Sequence, residues 1–129
     1  MSCTRPAAAL LVLVSWFLAS CGSDDTAAGE SSSPARTIEI TATEYAFNGD
    51  PGVIVPGDTI EFELENVGEL DHSLEVLSSS GSSLGRTERI APGASASVTV
   101  TFDDAGVYRL ICDVDDHLSR GQTASISVG

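Results

Sequence analysis

Residues 59–65 read Thr59-Ile60-Glu61-Phe62-Glu63-Leu64-Glu65. Apolar and acidic side chains alternate without a break, the period of a β-strand with one buried and one wetted face. The same period recurs on either side. Ile38 and Ile40 oppose Glu39 and Thr41, Val98, Val100 and Phe102 oppose Thr99 and Thr101, and Ile126 and Val128 oppose Ser125 and Ser127. The β-branched content of these runs suits a pleated surface. Turn signals separate them: Asn48-Gly49-Asp50-Pro51-Gly52, Pro56-Gly57-Asp58, Pro92-Gly93 and Asp103-Asp104-Ala105-Gly106. The pattern predicts strands near 37–43, 52–55, 59–66, 72–77, 86–90, 96–102, 107–112 and 123–128. Seven or eight short strands at this spacing define an all-β chain, a Greek-key β-sandwich or barrel. Ser78 to Gly85 reads as a loose loop, and Tyr45 and Phe47 as core.

The start of the chain has another character. Arg5 is the only charge before Asp24, and Ala7 to Leu18 is apolar apart from Ser15. That run is too short for a permanent membrane span and reads as a secretory signal. It ends in Leu18-Ala19-Ser20-Cys21, which resembles the bacterial lipobox. The resemblance implies cleavage before Cys21 and attachment of lipid to its sulfur. Residues 1–20 are therefore expected to be a lipoprotein signal peptide. Residues 21–36, rich in Gly, Ser, Asp and Ala, are expected to be a lipidated cysteine and flexible tether. Residues 37–129 form one domain by size. The expected location is extracytoplasmic, on a bacterial membrane through the Cys21 anchor.

All 19 acidic residues follow position 21, against five arginines and no lysine, so the processed chain carries about −14 formal charges. Such a charge argues against nucleic acid as a partner and against direct binding of anionic headgroups. It suits a partner protein with a basic surface, met by a monomer.

Of the three cysteines, Cys3 leaves with the signal and Cys21 takes the lipid, which leaves Cys112 alone in the domain. A single cysteine in a secreted domain is a candidate reactive or ligating group. The only two histidines are His72 and His117. His117 lies five residues after Cys112, which ends the strand Val107-Tyr108-Arg109-Leu110-Ile111-Cys112; His72 opens another strand. A thiolate and two imidazoles make a compact soft trigonal site, and a weak axial ligand completes the geometry of blue-copper electron-transfer centres. The carboxylates of Asp113, Asp115 and Asp116 read as solvated loop charge rather than a calcium site, which needs more oxygen ligands.

From Thr37 to Gly129 the chain resembles the cupredoxins. Asn66 to His72-Ser73 is similar to the segment that brings the first histidine, and Pro92-Gly93 with Ala105-Gly106-Val107-Tyr108 to the approach to the cysteine. Cys112-x4-His117-x4-Gln122 is similar to the ligand loop. Glutamine in place of the more common methionine resembles the stellacyanin-like branch. The resemblance implies one copper ion, Cu(I) or Cu(II), held by His72, Cys112, His117 and an axial Gln122, with a backbone carbonyl near Asp71 as the alternative. It implies that Ser73 steadies the ligand loop by hydrogen bonding. Asp115-Asp116 departs from the Pro-Gly of many relatives, and implies a more negative, less rigid loop. Leu70 and Leu118 are the apolar candidates for docking near His117.

These features predict a type 1 copper protein that carries single electrons, with copper storage or delivery as the alternative. Nothing in the chain suggests an enzyme: it has no nucleophile with an adjacent base and no phosphate-binding loop.

Overall fold

The computed structural model describes Pro34 and residues 36–129. The expected signal peptide, Cys21 and the tether as far as Ser33 lie outside the described residues. Eight strands follow in order: β1 (Arg36–Thr43), β2 (Ala46–Asn48), β3 (Asp58–Asn66), β4 (Glu75–Leu77), β5 (Ser83–Arg86), β6 (Ser95–Phe102), β7 (Gly106–Ile111) and β8 (Thr123–Val128).

The alternation dictates two layers. Each strand buries one row of side chains, and two sheets meet over those rows. One sheet has the order β2-β1-β3-β6, the other β5-β4-β7-β8. Chain neighbours are split between the sheets, so β3 lies beside β6 and β4 beside β7, the crossovers of a Greek key. The core joins Ile38, Ile40, Ile60, Phe62, Leu64, Val100 and Phe102 of the first sheet to Val76, Tyr108, Leu110, Ile126 and Val128 of the second. Phe102 sits between Phe62 and Tyr108, edge-to-face with both, at centroid distances of 6.2 and 4.8 Å. Tyr108 Oη donates to the Asp104 carbonyl at 2.8 Å, so its polar tip is satisfied.

One pairing places the functional end of the molecule. β1 and β3 run parallel, with Ala42 opposite Asn66. The turns that follow them, 44–45 and 67–71, therefore emerge side by side at one end of the sandwich.

The strands differ from the sequence expectation in four places. Residues 52–55 form no strand. Only Ile54 makes a bridge, to Val128, because Pro56 offers no N–H and Gly57 turns the chain at φ 96°. The short strand β2 was not foreseen. The expected strand at 86–90 lies earlier, at Ser83–Arg86, within the stretch read as a loose loop. Ser78 closes that loop, its hydroxyl accepting from Ser82 N at 3.0 Å while its amide donates to the Ser82 carbonyl at 2.8 Å, and the chain returns to pair with β4. Finally β4 spans only Glu75–Leu77. Residues 72–74 are instead tied irregularly to 87–90, through a His72–Ile90 bridge and a Leu74 amide that donates to Thr87 Oγ1 at 3.0 Å.

Candidate metal centre

The first histidine is set by a buried asparagine. Asn66, the last residue of β3, donates from Nδ2 to the carbonyls of Leu70 at 2.7 Å and Ile90 at 3.1 Å, and accepts from Gly68 N at 3.0 Å. Those bonds fold residues 66–72 back and deliver His72 to the sandwich interior, where it is fully buried. Cys112 follows the end of β7, one residue beyond the strand's last member. Its amide donates to the Gln122 carbonyl at 3.2 Å, so these two residues face each other across the mouth of the β7–β8 loop. Inside that loop His117 N donates to the Val114 carbonyl and its own carbonyl accepts from Arg120 and Gln122, which turns the imidazole inward, 3 % exposed.

The fold thus brings together three of the residues singled out from sequence. One ligand atom each from His72, Cys112 and His117 lie within 4.8 Å of one another, and all three side chains are buried. Cys112 Sγ and His117 Nδ1 are 3.6 Å apart. Ligand bonds of about 2.0–2.3 Å place donors of a trigonal site roughly 3.5–4 Å from each other, so this spacing suits one shared ion.

Two buried polar atoms have no partner among the described residues, His72 Nδ1 and Gln122 Oε1. Buried polar groups are almost always satisfied, so each exception asks for a ligand. For Gln122 the amide orientation follows from its neighbours. Nε2 lies 3.0 Å from the Thr43 carbonyl and 3.4 Å from that of Ala46, and carbonyls accept only from the NH2 group. The oxygen is left pointing elsewhere, a weak oxygen donor available to a metal. The donor set of one soft thiol and two imidazoles fits copper.

Sequence reasoning missed the part played by the β1–β2 turn. Tyr45 was read as core. Its ring instead stands edge-on to His117, with centroids 5.3 Å apart, half-buried at the molecular end. It takes φ 109°, a conformation usually left to glycine, at a cost of about 1–3 kcal/mol. Glu44, its neighbour, carried no sequence signal. Glu44 Oε1 accepts from Glu69 N at 2.7 Å and Leu70 N at 2.8 Å, and lies 3.3 Å from His72 Nε2. The N–H of Leu70 above all, with that of Glu69, holds its carboxyl well below the usual range, at about 2, against partial burial.

Ser73 links the two ligand-bearing segments. Its hydroxyl donates to the Asp113 carboxylate, accepts from Asp113 N at 3.2 Å and lies 3.7 Å from Cys112 Sγ. The loop carboxylates are exposed, as solvated charge should be, and each also has a guanidinium partner. Asp113 meets Arg86 at 3.2 Å, Asp115 meets Arg89 at 3.3 Å, and Asp116 meets Arg120 at 2.6 Å. Arg89 also holds Asp71 at 2.9 Å, and so ties the His72 segment to the His117 loop. Arg120 in turn lies over the Tyr45 ring, 5.0 Å from its centroid. The loop is therefore less negative and more constrained than Asp115-Asp116 suggests.

A two-sheet β-sandwich that closes over one thiol and two imidazoles at its end has the architecture of a cupredoxin. The chain belongs to that family: the model of the cupredoxin-like domain matches residues 8–123. Comparison with curated proteins gave no match. Among solved structures the chain is similar to reduced auracyanin from the photosynthetic bacterium Roseiflexus castenholzii, at TM-score 0.65 and 18 % identity, over 75 % of this chain and 99 % of that one. It is also similar to auracyanin A, described as a "blue" copper protein from the green thermophilic photosynthetic bacterium Chloroflexus aurantiacus, at TM-score 0.62 and 19 % identity, over 75 % and 100 % of the two chains. Auracyanin B gives TM-score 0.66 and 19 % identity, over 75 % and 91 %. At such identities the likeness is one of fold.

Proposed function

We propose that this chain is a type 1 copper protein that carries single electrons outside the cytoplasm, with His72, Cys112, His117 and Gln122 as ligands. The observation that carries the reading is the convergence of three buried ligand atoms within 4.8 Å; the buried Gln122 amide oxygen, without a partner among the described residues, supports the fourth ligand.

Bound there, copper supplies a Cu(I)/Cu(II) couple. The protein supplies the rest. Cys112 gives up its proton on binding and contributes a thiolate. Its backbone bond to Gln122 and the Ser73–Asp113 link hold both ends of the ligand loop. Burial of every ligand excludes water, and the sandwich lets none of them move far, which keeps reorganisation small on each transfer. A set of four protein donors leaves no open position for a substrate, so transfer rather than catalysis is the reading this site supports.

The same reading places the protein on a membrane through lipid at Cys21, one copper per monomer. Its redox partner presents a basic surface to a processed chain of about −14 formal charges. Leu70 and Leu118, 43 % and 39 % exposed, give that partner an apolar foothold near His117.

Addition of Cu(II) to the purified protein tests the reading. An intense visible absorption with the narrow hyperfine splitting of a blue site in electron paramagnetic resonance is expected, and Cys112→Ser should abolish both. Rapid loss of copper to a chelator, with no reversible voltammetric wave, would favour storage or delivery instead.

A further inference from the structure

We propose that Glu44 is a positioning residue for the metal centre: it selects which nitrogen of His72 faces the other ligands, and its negative charge lowers the reduction potential. The second half rests on the copper reading.

The first half follows from donor and acceptor counting. Glu44 Oε1 accepts from Glu69 N and Leu70 N, and faces His72 Nε2 at 3.3 Å. An ionised carboxylate only accepts, so Nε2 carries the proton. A neutral imidazole with its proton on Nε2 leaves Nδ1 bare. Nδ1 is the buried atom of His72 that has no partner, and the His72 ring packs 4.9 Å from that of His117. A carboxylate behind a ligating imidazole fixes its tautomer, orientation and basicity.

Two features show that this contact is built rather than incidental. The backbone of 68–70 approaches the carboxylate so closely that a Cβ at Gly68 would run into it. Glycine at 68 is what permits the approach. The parallel register of β1 and β3 sets the other side, since Val67 N donates to the Ala42 carbonyl at 3.0 Å and carries the loop alongside the hairpin turn.

Arg86, Arg89 and Arg120 lie at this end of the molecule, and each is engaged by an aspartate. Among the described ion pairs the only partner of Glu44 is His72. Its charge therefore acts on the centre without a neighbouring guanidinium to cancel it, through a side chain only 30 % exposed. A negative charge near the ion favours Cu(II) over Cu(I).

Two variants of the full protein separate contact from charge. Glu44→Gln keeps an acceptor oxygen for the three N–H groups and removes the charge. It should retain the blue absorption and show a higher midpoint potential in voltammetry. Glu44→Ala removes both, and should also weaken copper binding by about tenfold to a hundredfold. An unchanged potential in Glu44→Gln with the blue absorption intact overturns the charge role and leaves the copper reading standing. Nitrogen-15 spectra of the metal-free wild-type protein report the tautomer independently. A His72 protonated at Nε2 supports the positioning role, and one protonated at Nδ1 overturns it. Absence of blue absorption from the wild-type protein is the separate result that removes the copper reading and the potential argument with it.

Discussion

Glu44 and Tyr45 are consecutive residues of the β1–β2 turn, yet each touches a different histidine of the metal centre: Glu44 Oε1 lies 3.3 Å from His72 Nε2, and the Tyr45 ring stands 5.3 Å from that of His117. The residues that flank them, Thr43 and Ala46, accept from the Gln122 amide. Four successive residues thus contact three of the four expected ligands. The turn acts as a clamp across the end of the sandwich, and the strained φ of Tyr45 is maintained by those contacts.

Replacing Tyr45 by glycine separates strain from contact. Glycine adopts φ 109° freely, so about 1 kcal/mol or more of strain is relieved, while the ring against His117 is lost. The metal-free protein should change in stability by less than about 1 kcal/mol, since the two effects oppose. Copper should leave faster, because His117 loses its cover. Denaturant unfolding and chelator competition read the two effects, and an unaltered release rate would remove Tyr45 from the site.

Gln122→Met exchanges an amide oxygen for a softer thioether. The softer donor favours Cu(I), so the midpoint potential should rise. The two donations from Nε2 are lost as well, at about 1–2 kcal/mol of folding stability. A potential that falls or stays put would show that Gln122 is not the axial ligand, and would direct attention to a backbone carbonyl near Asp71.

Ser73→Ala tests the link between the two ligand-bearing segments. The hydroxyl has one proton, and it goes to the Asp113 carboxylate rather than to Cys112 Sγ. The variant should lose about 1–2 kcal/mol in denaturant unfolding. The position of the blue absorption should hold. A large spectral shift would mean that the hydroxyl turns to the sulfur when metal is present.

Copper should stabilise the fold it joins. The ligands come from the loop that follows β7 and from a segment 40 residues before Cys112, so the ion cross-links regions that separate on unfolding. At a thousandfold excess over Kd the gain is about 4 kcal/mol. Calorimetry with and without copper should show the shift in the wild-type protein and its absence in Cys112→Ser. Equal shifts in both would place the metal elsewhere.

The strand periods and much of the ligand loop were legible along the chain. Thr59 to Glu65 announces a half-buried strand because neighbouring side chains of a strand point to opposite faces. Cys112, His117 and Gln122 lie within one loop, so their spacing survives folding almost unchanged. The misses have physical causes too. β2 is three residues long and carries too little pattern to register. The serines of 78–82 read as loose, but hydroxyls that bond to nearby backbone make tight turns. The pairing of Asp113 and Asp115 was not legible because Arg86 and Arg89 reach them from outside the loop.

What the sequence determined by itself was the all-β class, the cysteine and histidines available to a metal, and the charge of the chain, properties of local periodicity or of composition alone. What only the tertiary structure decided was the service of Glu44 to His72 and of Tyr45 to His117. Glu44 stands 28 residues before His72, and no local pattern spans that gap. They meet because parallel pairing of β1 and β3 brings two otherwise unrelated turns out at the same end of a sheet, a consequence of register that no stretch of adjacent side chains can express.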